Sequence, residues 1–354
     1  MTAPFDIRPR AGIDRDQWDA FAEASDEAWL WHRADLIDAM TTWPANRLDL
    51  SFGIVDQRGA LCAIVPLYLA FHRAARVIPH RYIHGLGGPA CAKGLATGLR
   101  QKLLDRVHEQ IVSLMASHDA ERAELRISAL TPAMRGPKAP RVNPLVLAGF
   151  ENTQGETWTI DLGPSAEAIR ARYFDGTRYE LRRAAKTPYS LREASGNRDL
   201  EIYYGLHLQT YARTGAVPHP INYFRIIFER FIPRGLCRIL FFERGGEAVA
   251  AQNTAIYKGG AYYWTGASAT GKSGGENRVL ADDQIMHARA RGCTIYETGE
   301  AFVNSGDAKR HGLSNYKRSF GAELTPYYGG RLLAPQWKFR LLRAARGLLR
   351  AEGP

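Results

Sequence analysis

Residues 238–297 read RILFFERGGEAVAAQNTAIYKGGAYYWTGASATGKSGGENRVLADDQIMHARARGCTIYE, and the architecture follows from this stretch. Arg238 to Phe242 is rich in β-formers and reads as a strand, ended by the turn Arg244-Gly245-Gly246. A second strand, Ala248 to Tyr257, turns through Gly259-Gly260 into a third, Ala261 to Thr265. Gly266-Ala267-Ser268 and the glycine-rich loop Gly271 to Gly275 lead into a helix from about Arg278 to Arg291. A strand, Cys293 to Glu297, closes the unit.

The first half repeats this order. Its lead-in is two helices, Asp14 to Ala22 and Arg33 to Met40, the second stopped by Trp43-Pro44. A strand from Leu48 to Val55 meets the turn Gln57-Arg58-Gly59, and a strand from Leu61 to Leu69 follows. A short strand then enters His84-Gly85-Leu86-Gly87-Gly88-Pro89. An amphipathic helix, Leu99 to Ala116, and a strand, Glu124 to Ser128, complete the copy. Gly59 and Gly245 stand 186 residues apart, and Gly85 and Gly266 stand 181 apart. A repeat of whole elements at one spacing indicates internal duplication. Each copy has the element order of an acetyltransferase-type unit, so the expected fold class is α/β with mixed sheets in two tandem units.

At 354 residues the chain exceeds one compact core and suits two domains. We place them at 1–150 and 151–334, with 335–354 as a basic amphipathic C-terminal helix. Lys and Arg number 47 against 36 Asp and Glu, a net charge of +11 that favours an anionic partner. An ordinary basic enzyme surface explains it equally well. Cys62, Cys91, Cys237 and Cys293 form no C-x-x-C pair, and the histidines lack metal-ligand spacing, so we expect reduced thiols and no metal. The N-terminal residues lack the apolar core of a signal peptide. The longest apolar run, Ala60 to Phe71, falls short of the roughly 20 residues that span a bilayer. A cytoplasmic protein is the expectation.

Between the copies lies a turn-rich linker with Gly149, Asn152 and Gly155, then a strand from Thr157 to Leu162. Helical stretches follow at Ser165 to Phe174, Arg178 to Lys186, Asp199 to Thr214 and Tyr223 to Phe231. Four segments here and beyond carry chemistry in a fixed order: Arg178 to Lys186, Thr210 to Pro220, Tyr263 to Ser268, and Gly312-Leu313-Ser314-Asn315-Tyr316-Lys317-Arg318-Ser319-Phe320-Gly321. Together they resemble the Fem-like acyltransferases, the FemABX peptidyltransferases and their FemAB-like, GNAT-type relatives. The resemblance spans about Trp18 to Tyr328, and its most specific part is G-x-x-x-[FY]-K-x-x-F-G at the end. It implies two GNAT-like units that transfer an acyl group onto an amine, giving an amide. In the FemABX branch the donor is an aminoacyl-tRNA and the acceptor a peptidoglycan precursor peptide; other relatives use acyl-CoA.

Lys317 is the leading catalytic candidate, because a fixed ammonium stabilises the tetrahedral oxyanion of acyl transfer and the matching family lysine is implicated in catalysis or donor binding. The plainer reading is a surface lysine beside Arg318. Tyr316 and Phe320 frame the site or simply pack. Glu297, at a strand end, could take the proton of the attacking amine or be an ordinary strand-end carboxylate. Arg213 suits a phosphate by its bidentate fork, or merely complements the helix dipole before a Gly215 cap. Tyr211 and His219 lie nearby. Tyr263 and Thr265, two apart on a strand, share a face and could bind an acceptor. Arg178, Arg182 and Lys186 (with Arg183 alongside) recur on one helix face and track a polyanion, or form a solvated face.

The loop Gly271 to Gly275 sits where GNAT enzymes hold a CoA pyrophosphate, yet the [QR]-x-x-G-x-[GA] spelling is absent. The reading is therefore an N-acyltransferase with no permanently bound cofactor, taking aminoacyl-tRNA or acyl-CoA as co-substrate. Its acceptor is a small-molecule, peptide or lipid-linked amine of cell-envelope or specialised-metabolite biosynthesis. The stretch Trp337 to Arg350 places apolar and arginine residues on separate faces and suits peripheral contact with the inner membrane face. A non-catalytic module binding polyanions or membranes is the rival from another class.

Overall fold

A computed structural model describes residues 5–42, 48–74, 78–137, 139–271, 275–303 and 305–334. The first unit runs β1 (Phe5–Pro9), α1 (Arg15–Ala24), α2 (Ala34–Thr41), β2 (Leu48–Asp49), β3 (Phe52–Asp56), β4 (Leu61–Val65), β5 (Tyr68–Ala74), β6 (Ile78–Gly85), β7 (Ala90–Cys91), α3 (Thr97–Ser117), β8 (Arg122–Ile127) and α4 (Pro144–Leu147), and β9 (Glu151–Asp161) follows past residue 150. The second runs α5 (Ala166–Ala171), α6 (Asp175–Ala184), β10 (Ser190–Glu193), α7 (Asn197–Thr214), α8 (Ile221–Ile226), β11 (Cys237–Arg244), β12 (Glu247–Tyr257), β13 (Gly260–Ser268), α9 (Glu276–Ala290), β14 (Ile295–Glu300), α10 (Ala308–Arg318) and β15 (Glu323–Leu333).

Two sheets result. Strands β1-β3-β4-β7 form a small one, and β10-β11-β12-β13-β14-β9-β15-β8-β6-β5-β2 form a sheet of eleven strands that crosses both units. The duplication is visible in the pairing. β6 runs parallel to β8, as β13 does to β14, while the neighbouring pairs are antiparallel. The sheet is continuous from one unit to the next: β9, just past residue 150, lies against β14, and β15 lies against β8. β9 and β15 pair with each other at the centre, Glu151↔Arg331 to Thr159↔Glu323.

Several expected boundaries move. The run Leu61 to Leu69 is not one strand: it breaks at Pro66-Leu67, because proline has no N–H for the ladder, and its halves join different sheets. Leu48 to Val55 likewise divides into β2 and β3. The expected linker Gly149 to Gly155 is largely β-strand, since β9 begins at Glu151 to meet β15. The helix expected from Ser165 to Phe174 covers only Ala166–Ala171. The helix from Arg178 onward stops at Ala184, so Lys186 lies beyond its face. The helix from Tyr223 becomes a wide π turn over Ile227–Phe231. The proposed helix at 335–354 falls outside the described residues.

The units are tied by specific contacts. Trp29, fully buried, donates Nε1–H to the Tyr257 carbonyl at 2.9 Å. Lys258, at the β12–β13 turn, donates to the carbonyls of Ala22 and Ser25, both at 2.6 Å, and so caps the end of α1. Asp35 of α2, its side chain 1% exposed, takes Arg15, Arg230 and Arg234 on its carboxylate. Arg230 and Arg234 flank the end of the π turn, so the network docks α2 across the seam.

Candidate active site

The parallel strands β13 and β14 are paired only from Gly260↔Ile295 to Tyr262↔Glu297. Beyond that point β14 follows β9, with a bulge between Glu297 and Gly299, while β13 stays with β12. A wedge opens between them, covered on one face by α9 and α10. Asp307 caps α10 by accepting from Lys309 N at 2.9 Å, and Ser314 accepts from Trp158 Nε1 at 2.9 Å. These contacts fix the last turn of α10, which carries Tyr316 and Lys317.

The stem of Lys317 lines the wedge, with Tyr263, Tyr296, Thr298, Tyr316 and Phe320 around a cavity of about 30 Å³. Its ammonium donates to the Glu300 carbonyl at 3.0 Å and stands 5.2 Å from the centre of the Phe302 ring. Burial lowers its pKa to about 8, against the pull of Glu300 and Glu297. The close approach is made at Gly299, whose φ is +110°, and a Cβ built there would stand 2.9 Å from Nζ. We expect Gly299→Ala to cost about 1–2 kcal/mol in backbone strain and to push the ammonium aside. Chemical denaturation should register the first effect. The second should appear as a lower kcat with KM preserved in a transfer assay.

Glu297 stands on the opposite face of β14. Its carboxylate accepts from Thr157 Oγ1 at 2.7 Å and Ser128 Oγ at 3.5 Å, the latter from the first unit. Burial raises its pKa, opposed by the Thr157 hydrogen bond and the Lys317 charge. Lys317 and Glu297 therefore approach the wedge from opposite sides of the sheet.

A second depression, about 570 Å³, lies at the N-terminus of α9. Arg183, Arg213 and Arg278 line it, with Glu180 and Glu276, and Tyr316 forms a wall shared with the wedge. Glu180 is paired with Arg183 and Glu276 with Arg244, so two carboxylates are already neutralised. Among the described residues, Arg213 and Arg278 have no carboxylate partner. Arg213 holds Ser268 Oγ at 3.0 Å, from the last turn of α7 before the left-handed Gly215. Exposed helix N–H groups with unpaired guanidinium make an anion-binding site. Of the glycine-rich loop, residues 272–274 lie outside the described residues.

The remaining candidates divide. Tyr316 donates its OH to the Asn277 carbonyl at 3.0 Å, and Phe320 is buried edge-on against it. Tyr211 packs on His207, ring centres 4.1 Å apart, away from the wedge. Arg178 donates to the carbonyls of Ala171 and Tyr173 and pairs with Asp175, tying down the end of α5. Arg182 is exposed, and its neighbour Arg183 takes the place in the cleft. Tyr263 and Thr265 do not share a face. Asn253↔Thr265 and Thr254↔Tyr263 leave Trp264 as a bulged residue, which turns Thr265 toward the Tyr203 hydroxyl at 2.6 Å while Tyr263 faces α9. Sequence reasoning passed over Arg278, although an arginine two residues into a helix after a glycine-rich loop was a usable signal.

Residues 171–318 match the family described as acetyltransferase (GNAT) domain. Among solved structures, FemX superposes with a TM-score of 0.68 at 13% identity, over 95% of this chain and 99% of that one. The C-terminal domain of a putative lysylphosphatidylglycerol synthetase from Agrobacterium fabrum gives 0.56 at 15% identity, over 93% and 94%. A tandem GNAT protein from the clavulanic acid biosynthesis pathway gives 0.53 at 14%, over 94% and 99%. A comparison with curated proteins returned no match. The fold and the family match define the class of this region: residues 171–318 are a GNAT-type acetyltransferase domain. More particularly, the fold is like that of FemX, two GNAT-type units in tandem.

Proposed function

We propose that the chain forms an amide by passing an aminoacyl group from aminoacyl-tRNA to an amine acceptor, with Lys317 at the reacting carbonyl. The amine nitrogen attacks the ester carbon, the oxyanion gains the Lys317 charge, and collapse expels the ribose hydroxyl. The amine proton passes to that oxygen as it leaves. What carries the reading is the half-buried ammonium held by the Glu300 carbonyl at the mouth of the wedge. A preorganised cation in such a place lowers the barrier by a few kcal/mol, about 3 in comparable oxyanion sites.

Two observations bear on the donor. The Arg183, Arg213 and Arg278 cleft suits the phosphates of either tRNA or CoA. The wedge, however, is filled by aromatic rings and keeps only about 30 Å³, room for about two waters. That favours a carbonyl presented at the rim over a thioester arm threaded between the strands. The unit boundary near residue 150, the roles of Tyr263, Tyr316 and Phe320 as walls, and membrane contact through Trp337 to Arg350 belong to the same proposal. Acceptors range over small-molecule, peptide and lipid-linked amines. Among the described residues no helix is long and apolar enough to cross a membrane.

The test compares a charged-tRNA pool with an acyl-CoA panel by mass spectrometry, over a mixed amine library. Ribonuclease-sensitive transfer supports the tRNA reading, and transfer from acyl-CoA alone replaces it with the second. Salt-dependent RNA or vesicle binding without transfer from any donor leaves the non-catalytic reading. Arg213→Ala should raise KM for the phosphate-bearing donor about tenfold, the effect of losing one charge-assisted contact, with kcat little changed.

A further inference from the structure

The first unit has a wedge of its own. β6 and β8 are paired in parallel from Tyr82↔Arg122 to Gly85↔Leu125. The chain after β6 then turns away through Gly87-Gly88 to β7, which pairs with β4, while β8 runs on to Ile127. α3 and α4 cover this opening just as α9 and α10 cover the one between β13 and β14. The contents differ. Where the second unit packs Tyr263, Tyr296, Tyr316 and Phe320, the first offers Pro89, Leu104, Ile127 and Leu145, and its cavity is about 370 Å³ against about 30 Å³. That volume falls in the range of ligand sites, about 300–1,000 Å³.

We propose that this wedge binds one unbranched aliphatic chain, that of a fatty acid or fatty-acyl group. Apart from Glu27 and Arg100 the described walls are apolar, and none of the described lining residues carries an aromatic ring on which a flat ligand would stack. Met134 supplies a pliable thioether, suited to a chain with many rotamers. Among the described residues, the charged groups in the lining are Arg100 and Glu27, which are joined at 2.6 Å, and Glu27 also accepts from Cys91 N at 3.0 Å. The rim is apolar as well: Val142 is 62% exposed and Leu147 52%. Exposed apolar side chains gathered round an apolar cavity mark a ligand entrance. The site stands apart from Lys317, so its occupancy is measurable without any donor or acceptor.

The experiment is calorimetric titration of the full chain with dodecanoate, below its micelle concentration. Wild type and Lys317→Ala should bind alike. Ala133→Phe, which projects a ring into the cavity from its rim, should weaken binding about tenfold. Leu147→Glu, an exposed position that leaves the core intact, should weaken it similarly and keeps the test decisive should Ala133→Phe fail to fold. Absence of binding for decanoate, dodecanoate and hexadecanoate overturns the proposal. So does binding unaffected by either variant, adsorption to phosphatidylglycerol vesicles without uptake of monomeric chains, or self-association abolished by Leu147→Glu in the absence of chain binding.

Discussion

Lys317→Ala lowers kcat/KM for acyl transfer by about 10²–10³, the cost of removing one oxyanion partner, with circular dichroism and melting unchanged. The side chain is half-buried and its ammonium meets a carbonyl oxygen, and Glu297, which loses the Lys317 charge, keeps its hydrogen bond from Thr157. The pH dependence gives an independent readout. Burial lowers the ammonium pKa to about 8. The cationic form, which stabilises the oxyanion, predominates below that value and is lost as pH rises through it. Wild-type kcat/KM therefore has an alkaline limb that falls near pH 8. In Lys317→Arg the charge persists at high pH, and the limb moves up or disappears even if the absolute rate drops. An unchanged rate in Lys317→Ala, or an alkaline limb that survives in Lys317→Arg, removes Lys317 from the chemistry.

Asp35→Ala should destabilise the protein by about 3 kcal/mol, the low end for breaking a buried ion pair. The carboxylate is 1% exposed and answers three arginines, while Arg15, Arg230 and Arg234 remain 39%, 42% and 51% exposed. The arginines can return to water, so the loss arises mainly from undoing the join between α2 and the π turn. Urea unfolding gives the value, and a first transition confined to one unit would show the seam yielding before the cores. If the change is under about 0.5 kcal/mol, as for ordinary surface pairs, the cluster contributes nothing to the seam.

Much of the second unit was legible because its strands are long, apolar and bounded by glycine turns. β11, β12, β13 and α9 stand within a few residues of where the pattern put them. β15 was not legible. Its residues Glu323 to Tyr328 include Pro326 and exposed positions, which read as loop, and what makes them a strand is pairing with β8 and β9. Nor did α10 announce itself, since Gly312, Ser314 and Asn315 are indifferent helix formers held there by the Asp307 cap and Trp158. The failed pairing of Tyr263 with Thr265 has the same origin: strand alternation is local, and the bulge that broke it is set by the partner strand β12. The motif segment from Gly312 to Gly321 drew attention to Lys317, while its meeting with Gly299 and Glu300 required the tertiary structure.

Because β15 is made after the other described strands, the first unit leaves the ribosome with the outer edge of β8 unsatisfied. At about 5–20 residues per second, that edge waits roughly 10–40 s for its partner. The nascent chain is thus open to mispairing for most of its synthesis, and a stop codon before residue 323 would disable both halves at once.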